Sequence, residues 1–314
     1  MITGGSGFIG SNLTLELQKR YPETSLVIID DFRGSSFKNL LGFKGDCMAY
    51  NVADPQWIPF FKNRPLDAIF HLASITDTTV LDEKKMMNDN VEGFRNILEL
   101  AAKKKCTLVY ASSAAVYGSA GDSKHNLQEA DGGIPNNIYG FSKWVMENLA
   151  REYQGKIPKI VGLRYFNVFG PGEYFKADAA SMIYKLYLQM KAGKRPRIFK
   201  DGEQKRDFIY VKDIVELTIK AREAKQSTVI NAGTSKPTSF NEMIAVLNEA
   251  LGTNLLADYF DNPYSFYQNF TQADMSHTQK MTGFSAAYST RDGILDYVKN
   301  YLEPATKSAP APVR

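Results

Sequence analysis

Cysteine is nearly missing from these 314 residues, with Cys47 and Cys106 the two present. Two thiols cannot build a disulfide framework, so a reduced, cytoplasmic setting is the expectation. Histidine is as scarce, and His71, His125 and His277 show no metal-ligand spacing. Long apolar runs are missing too. Stretches such as Leu26–Ile29 and Ala68–Phe70 fall far short of the ~20 residues that span a bilayer, and no signal-peptide pattern opens the chain. A net charge of +4 gives no ground for nucleic-acid binding. What remains is a globular composition, 44% hydrophobic and 23% charged. Charge is balanced over residues 1–160, so the excess lies beyond them. Within it, Lys191, Lys194, Arg195, Arg197, Lys200, Lys205 and Arg206 face only Asp201 and Glu203. That segment reads as a contact for a small anion or as a solvated loop.

Short apolar runs alternate with helical patterns, the signature of a doubly wound parallel α/β sheet of Rossmann type. Strands are predicted at Ser25–Ile29, Cys47–Val52, Ala68–Leu72, Thr107–Ser112 and Ile160–Phe166. Helical spacing covers 11–20 and 85–104. Continuously apolar strands imply a sheet covered on both faces. Beyond about residue 168 the rhythm breaks: a helix over 179–192, a strand Asp207–Val211, a helix over 212–223 and a strand Thr228–Ala232. Ser239-Phe240-Asn241-Glu242 is a capping box that opens another helix, and a last one covers 290–302. The expected layout is a dinucleotide-binding domain over 1–168, to which the chain returns at about 207–232. A smaller, interleaved substrate domain comprises 169–206 and 233–303, with a flexible tail over 304–314. Only Met1 and Ile2 precede the first turn, so either the opening strand is short or the chain lacks a few residues.

That turn is Thr3-Gly4-Gly5-Ser6-Gly7-Phe8-Ile9-Gly10. Glycines at 4, 7 and 10 let backbone N–H groups approach a pyrophosphate at the positive end of the next helix. Asp30 closes the second predicted strand 20 residues after Gly10, where a carboxylate would meet an adenosine ribose. Asp30 and Asp31 favour NAD by repelling a 2′-phosphate, whereas Arg33 could clamp one. Downstream, Tyr139 and Lys143 sit at i, i+4 in a helical stretch and therefore share a face. A nearby ammonium stabilises phenolate, which suits tyrosine to proton transfer near neutral pH. Ser113 follows a strand, at a sheet edge where it could hydrogen-bond a reacting hydroxyl.

The glycine turn, Ser113 and Tyr139-x-x-x-Lys143 together resemble the extended short-chain dehydrogenase/reductases, in their nucleotide-sugar epimerase and dehydratase group. The resemblance implies that Ser113, Tyr139 and Lys143 are catalytic, with Lys143 also on the nicotinamide ribose. It implies cofactor contacts from Gly4, Gly7, Phe8, Ile9, Gly10, Asp30, Asp31, Arg33, Leu72, Ala73, Asn90, Val168 and Lys176. Ala114-Ala115 stands where the dehydratase branch has Asp-Glu, which argues against water elimination. Three further segments carry the likeness onward: Arg164–Pro171 with Lys176, Lys205–Val211, and Tyr267–Asp274. They are similar to the ADP-heptose 6-epimerase branch of that family. There the resemblance implies Lys176 as a second acid/base, and substrate contacts from Ser113, Asn167, Asp178, Lys185, Phe199, Arg206 and Tyr267. Lys185 replaces a histidine, Asp178 a serine, and the segment Phe199–Arg206 is one residue short of the pattern. The expectation is an epimerase that inverts C6″ of a nucleotide-diphosphate sugar, with NADP (alternatively NAD) held tightly and not consumed. A homo-oligomer without metal, nucleic-acid or membrane partners is expected. A UDP- or GDP-hexose 4-epimerase, a reductase and an NAD(P)H-sensing regulatory protein are the rival readings.

Overall fold

In the computed structural model, described for residues 1–77, 80, 82–122, 126–176, 179–263 and 269–304, apolar alternation along the strands decides which helix each face meets. Strands β1 (Ile2–Thr3), β2 (Val27–Asp30), β3 (Asp46–Ala49), β4 (Ala68–His71), β5 (Thr107–Ser113) and β6 (Ile160–Tyr165) form one parallel sheet. Ile2 and Ile28 point to the side where Leu13 and Leu17 of α1 (Phe8–Arg20) pack. Val27 and Ile29 point to the other, against Phe94 and Ile97 of α3, which follows α2 (Glu83–Met87) and spans Gly93–Lys104. Met146 and Leu149 of α4 (Ile138–Glu152) complete that second layer. Burial on both faces is the main stabilising term here, at roughly 25 cal/mol per Å² of apolar surface removed from water.

The remaining strands are β7 (Asn167–Phe169), β8 (Arg197–Phe199), β9 (Lys205–Arg206), β10 (Phe208–Tyr210), β11 (Thr228–Ala232), β12 (Thr238–Ser239) and β13 (Asp258–Phe260). Of these, β11 alone joins the main sheet, giving seven strands in the order β11-β6-β5-β4-β1-β2-β3. The direction of winding reverses between β1 and β4, the place where such sheets open a crevice at their carboxyl ends.

Several expectations shift. The strand expected at Asp207–Val211 is β10, which lies outside the main sheet and pairs in parallel with β7. The strand expected at Cys47–Val52 ends at Ala49 and is mostly exposed, because it forms the sheet's edge. The single helix expected over 85–104 is broken by a π turn at Asn88–Glu92. That extra residue per turn buries Asp89, Asn90 and Val91 in succession, and such turns recur at functional sites. Three more helices, α5 (Met182–Lys191), α6 (Val211–Ala221) and α7 (Phe240–Leu251), fall near their predicted positions. The capping box of α7 is present: Ser239 accepts from the Glu242 N–H, and Glu242 accepts in return from the Ser239 N–H. α8 (Ser276–Thr282) adds Met281 to the main-sheet core, whereas α9 (Thr290–Tyr297) completes a second apolar core. In it Leu186, Met243, Leu247, Ile294 and Tyr297 pack beside Phe169 and Tyr210. Among the described residues no helix is long and apolar enough to cross a membrane.

Candidate active site

The turn after β1 can be this tight only because of its glycines. Gly4 sits at φ +69°, and a Cβ there would lie 2.6 Å from the Ala73 nitrogen. A Cβ on Gly10 would lie 1.9 Å from the Gly4 carbonyl oxygen, so α1 could not start where it does. The result is a helix N-terminus whose first N–H groups face an open cleft, a ready cradle for a diphosphate. Asp30, at the end of β2, accepts from the Ser6 N–H (2.9 Å) and the Phe32 N–H (2.8 Å) and so fixes the far side of the turn.

A cleft of about 710 Å³ opens at the winding reversal. Its lining includes Gly4, Gly7, Phe8, Ile9, Gly10, Asp30, Asp31, Arg33, Leu72, Ala73, Val168 and Lys176, together with Ser113, Tyr139 and Lys143. A larger hollow of about 1180 Å³ lies between the 233–238 loop, α7 and α9, and none of these residues reaches it. The cleft is therefore the place where the glycine turn meets the candidate proton-transfer side chains.

Four side chains carry its chemistry. Ser113 closes β5, and its hydroxyl both accepts from the Ala115 N–H (3.1 Å) and hydrogen-bonds the Tyr139 phenol. Asn137 caps α4 by accepting from the Gly140 N–H (2.8 Å), which fixes the first turn and with it Tyr139. One turn on, Lys143 is 1% exposed and donates to the Ala111 carbonyl (2.9 Å), with its ammonium 5.8 Å from the Tyr139 ring centre. Burial pulls Lys143 down to about 7. Burial also raises Tyr139, against the opposing Ser113 hydrogen bond. A tyrosine lowered by its neighbouring ammonium was expected. The difference has a cause: desolvation of the phenol penalises its charged form and outweighs the Ser113 hydrogen bond. Lys176 is likewise lowered by burial, with Glu173 opposing, and its ammonium lies 5.6 Å from the Phe8 ring centre.

Other expected contacts lie elsewhere. Asn90 is fully buried and outside the cleft lining. Its amide accepts from the Ile75 N–H (2.7 Å) and donates to the Ile75 carbonyl (3.1 Å) and to Ser142 (3.0 Å), whose hydroxyl donates to the Tyr139 carbonyl. These bonds tie the segment at Ile75 to α4. Arg33 is held by Asp31 and by Asp89, and Lys85 donates to the same Asp89 (3.1 Å). Those bonds, with donors from Asn51 and Asn88, hold the Asp89 carboxyl at about 2 although burial opposes ionisation.

On the opposite wall, Asn167 donates to the Asp207 carbonyl (3.3 Å), and Arg206 donates to the Lys205 carbonyl (3.0 Å). Phe199 packs edge-on against Phe260 at 4.9 Å, and Lys185 lies on α5. None of these four is among the described residues of the cleft lining. Asp178 and Tyr267, like His125 and the 305–314 tail, lie outside the described residues. The basic segment 191–206 is largely engaged within its own lobe. Lys191 pairs with Glu303 (2.6 Å), Arg197 with Asp258 (3.2 Å) and Lys200 with Asp261 (2.9 Å), while Arg195 donates to two backbone carbonyls. Three of the seven basic residues in that segment are thus paired with carboxylates from elsewhere in the chain.

Sequence reasoning missed the residues that hold this site in shape. Asp207 is fully buried and accepts from the N–H groups of Thr234, Ser235 and Ala273. Arg164 and Glu147 form a buried, bidentate pair that also takes the Ser112 hydroxyl, directly before Ser113. Charged residues inside an apolar strand or on the buried face of a helix were the available signal.

Comparison with known proteins gives the same architecture and adds relatives. A 34% identical protein of Alkalilimnicola ehrlichii, an ADP-L-glycero-D-manno-heptose-6-epimerase, aligns over 99% of this chain and 98% of its own length. The crystal structure of the Helicobacter pylori ADP-L-glycero-D-manno-heptose-6-epimerase superposes with a TM-score of 0.89 at 37% identity, covering 98% of this chain and 96% of that one. A UDP-glucuronic acid 4-epimerase from Bacillus cereus, solved with UDP-glucuronic acid and NAD, superposes with a TM-score of 0.81 at 27% identity, covering 95% and 98%. The model of the NAD dependent epimerase/dehydratase family matches residues 1–233, which take in the glycine turn, Ser113, Tyr139, Lys143 and Lys176. The chain belongs to that family.

Proposed function

We propose that this protein interconverts the two C6″ epimers of ADP-glycero-manno-heptose by oxidising and re-reducing the same carbon. The observation that carries the reading is the convergence of Tyr139 and Lys176, two proton-transfer groups from different parts of the chain, on one cleft beside a dinucleotide cradle. Full-length similarity to two heptose 6-epimerases at 34% and 37% identity supports this substrate over the hexose nucleotides of more distant relatives.

An unactivated secondary alcohol is too weak a carbon acid to epimerise by deprotonation, so hydride must leave and return. A nicotinamide dinucleotide supplies that chemistry when bound: it accepts hydride from C6″ and gives it back. The chain's residues do the rest. Ser113 orients the C6″ hydroxyl, and Tyr139, ionised to phenolate before the step, takes its proton as the C–H bond breaks, leaving a ketone. The ketone turns within the cleft to present its other face. As hydride is returned to C6″, Lys176 delivers a proton to the oxygen, and the inverted alcohol forms. The reverse direction exchanges the two roles, and no net oxidant or reductant is consumed.

At the adenosine end, sequence reading placed NADP first, and the arrangement around Arg33 favours NAD. Its guanidinium is shared by Asp31 and Asp89, and Asp30 adds a third carboxylate against Arg33 and Lys85. A 2′-phosphate would have to displace those carboxylates. The test is a panel assay without added reductant on ADP-D-glycero-D-manno-heptose, UDP-galactose and UDP-glucose. Turnover of the heptose alone is expected. Turnover of UDP-galactose without the heptose would transfer the reading to a hexose 4-epimerase.

A further inference from the structure

The loop that carries Lys176 does not rest against the glycine turn by chance packing. Two asparagines stitch them together, and each uses both hydrogens of its side-chain amide to do so. Asn12, on the first turns of α1, donates to the Phe8 carbonyl (2.9 Å) and to the Pro171 carbonyl (2.8 Å). Asn39, from the segment after β2, donates to the Ser6 carbonyl (3.1 Å) and to the Gly172 carbonyl (3.2 Å). In each case one acceptor belongs to the dinucleotide turn and the other to the loop, which is separated from it by more than a hundred residues. Gly172 is closely seated: at φ +95°, a Cβ on it would lie 3.1 Å from the Asn12 amide nitrogen.

A second clamp lies just beyond. Glu173, fully buried, accepts from the Gly170 N–H (3.0 Å), the Ser181 N–H (2.6 Å) and the Ser181 hydroxyl (3.0 Å). It closes the loop on itself, and the Lys176 N–H donates to its carbonyl (3.0 Å). Glu173 shapes the loop, and the asparagines decide where the shaped loop sits. Only a primary amide provides two parallel donors on so short a side chain; aspartate has none, and serine has one.

We infer that Asn12 and Asn39 are positioning residues for Lys176, holding its ammonium in register with the dinucleotide turn and so with the carbon that receives hydride. This rests on the reading of Lys176 as the second acid/base. Proton transfer from Lys176 is productive only when its loop is docked, and Phe8, beneath the ammonium, forms part of the same contact. Misplacing a reacting group by about 1 Å can cost about a hundredfold in rate. The asparagines therefore act on turnover more than on binding.

The experiment compares the full-length protein with N12A, N39A and the double variant in two measurements. The first is steady-state epimerisation of the ADP-heptose together with cofactor affinity by calorimetry. The second is a brief acetic anhydride pulse, with acetylation of Lys176 and Lys143 read by mass spectrometry. In the double variant, kcat is expected to fall between tenfold and a hundredfold, with KM and cofactor affinity within about threefold. Lys176 should acetylate several-fold faster while Lys143, held by the Ala111 carbonyl, does not change. A fall in kcat with unchanged Lys176 labelling would overturn the inference, because the asparagines would then act through the turn alone. So would unchanged labelling with unchanged kcat. Faster Lys176 labelling with undiminished kcat would uphold the docking contact and sink the acid/base role of Lys176 instead.

Discussion

The two walls of the cleft are built by different means. The cofactor wall consists of the ends of β1, β2, β4 and β5, whose positions are set by ladder hydrogen bonds and by apolar layers on both faces. Its functional atoms are largely backbone N–H groups and side chains at the last residue of a strand, such as Asp30 and Ser113. The opposite wall comes from the end of β6, from the three-residue strand β7 and from the turn that carries Phe175 and Lys176, and it depends on side-chain clamps such as Glu173. A regular sheet specifies a site by topology. A loop wall specifies it by particular polar contacts, each worth roughly 0.5–1.5 kcal/mol net and more when a buried partner is orphaned.

That contrast can be broken or sharpened by substitution, beginning with the largest effect. Tyr139→Phe keeps the ring and the α4 packing and removes the proton-transfer atom. Its kcat is expected to fall by about 10³-fold, within the range for general acid–base groups, with cofactor affinity retained by calorimetry. Loss of cofactor along with turnover would mean that the phenol builds the cofactor wall instead. At the adenosine end, Asp89→Asn releases Lys85 and leaves Arg33 on Asp31 alone, at nearly constant shape. The ratio of NADP to NAD affinity should rise about tenfold, equivalent to ~1.4 kcal/mol. An unchanged ratio would show that Asp89 merely ties the π turn to its neighbours.

A smaller effect concerns stability. The unfolded chain holds the Lys143 proton up to about 10.5, whereas the folded protein releases it near 7. Between those values unfolding takes up a proton, so the native state gains stability as pH rises through that window. Lys143→Met removes this penalty. Its melting temperature relative to the parent should be highest at pH 7 and decline toward pH 10. A difference independent of pH would show that Lys143 is not held near neutral pKa in the fold.

What was legible in the sequence follows the same division. The glycine turn, Asp30, Ser113 and the Tyr139–Lys143 pair lie at positions that βα geometry dictates, and motif spacing, strand ends and the family resemblance together located them. Apolar runs also located most sheet strands to within two residues. They located Asp207–Val211 as well, but a three-residue apolar segment does not reveal which partner it pairs with, and β10 pairs with β7. Asn90 lies buried outside the cleft lining, inside a π turn that no residue pattern marked. Arg33 and the basic run over 191–206 looked like anion ligands because charge is visible in sequence, whereas Asp89, Asp258 and Asp261, which engage them, are brought close only by folding. Asn12 and Asn39 gave no signal at all. Their role depends on two carbonyls more than a hundred residues away.

The central claim, that hydride leaves C6″ and returns to it, is tested most directly with substrate deuterated at that carbon. In ordinary water, with no added cofactor, the product epimer should retain the deuterium at C6″. Loss of the label to solvent would contradict the account, since it would require the carbon to exchange a proton rather than a hydride.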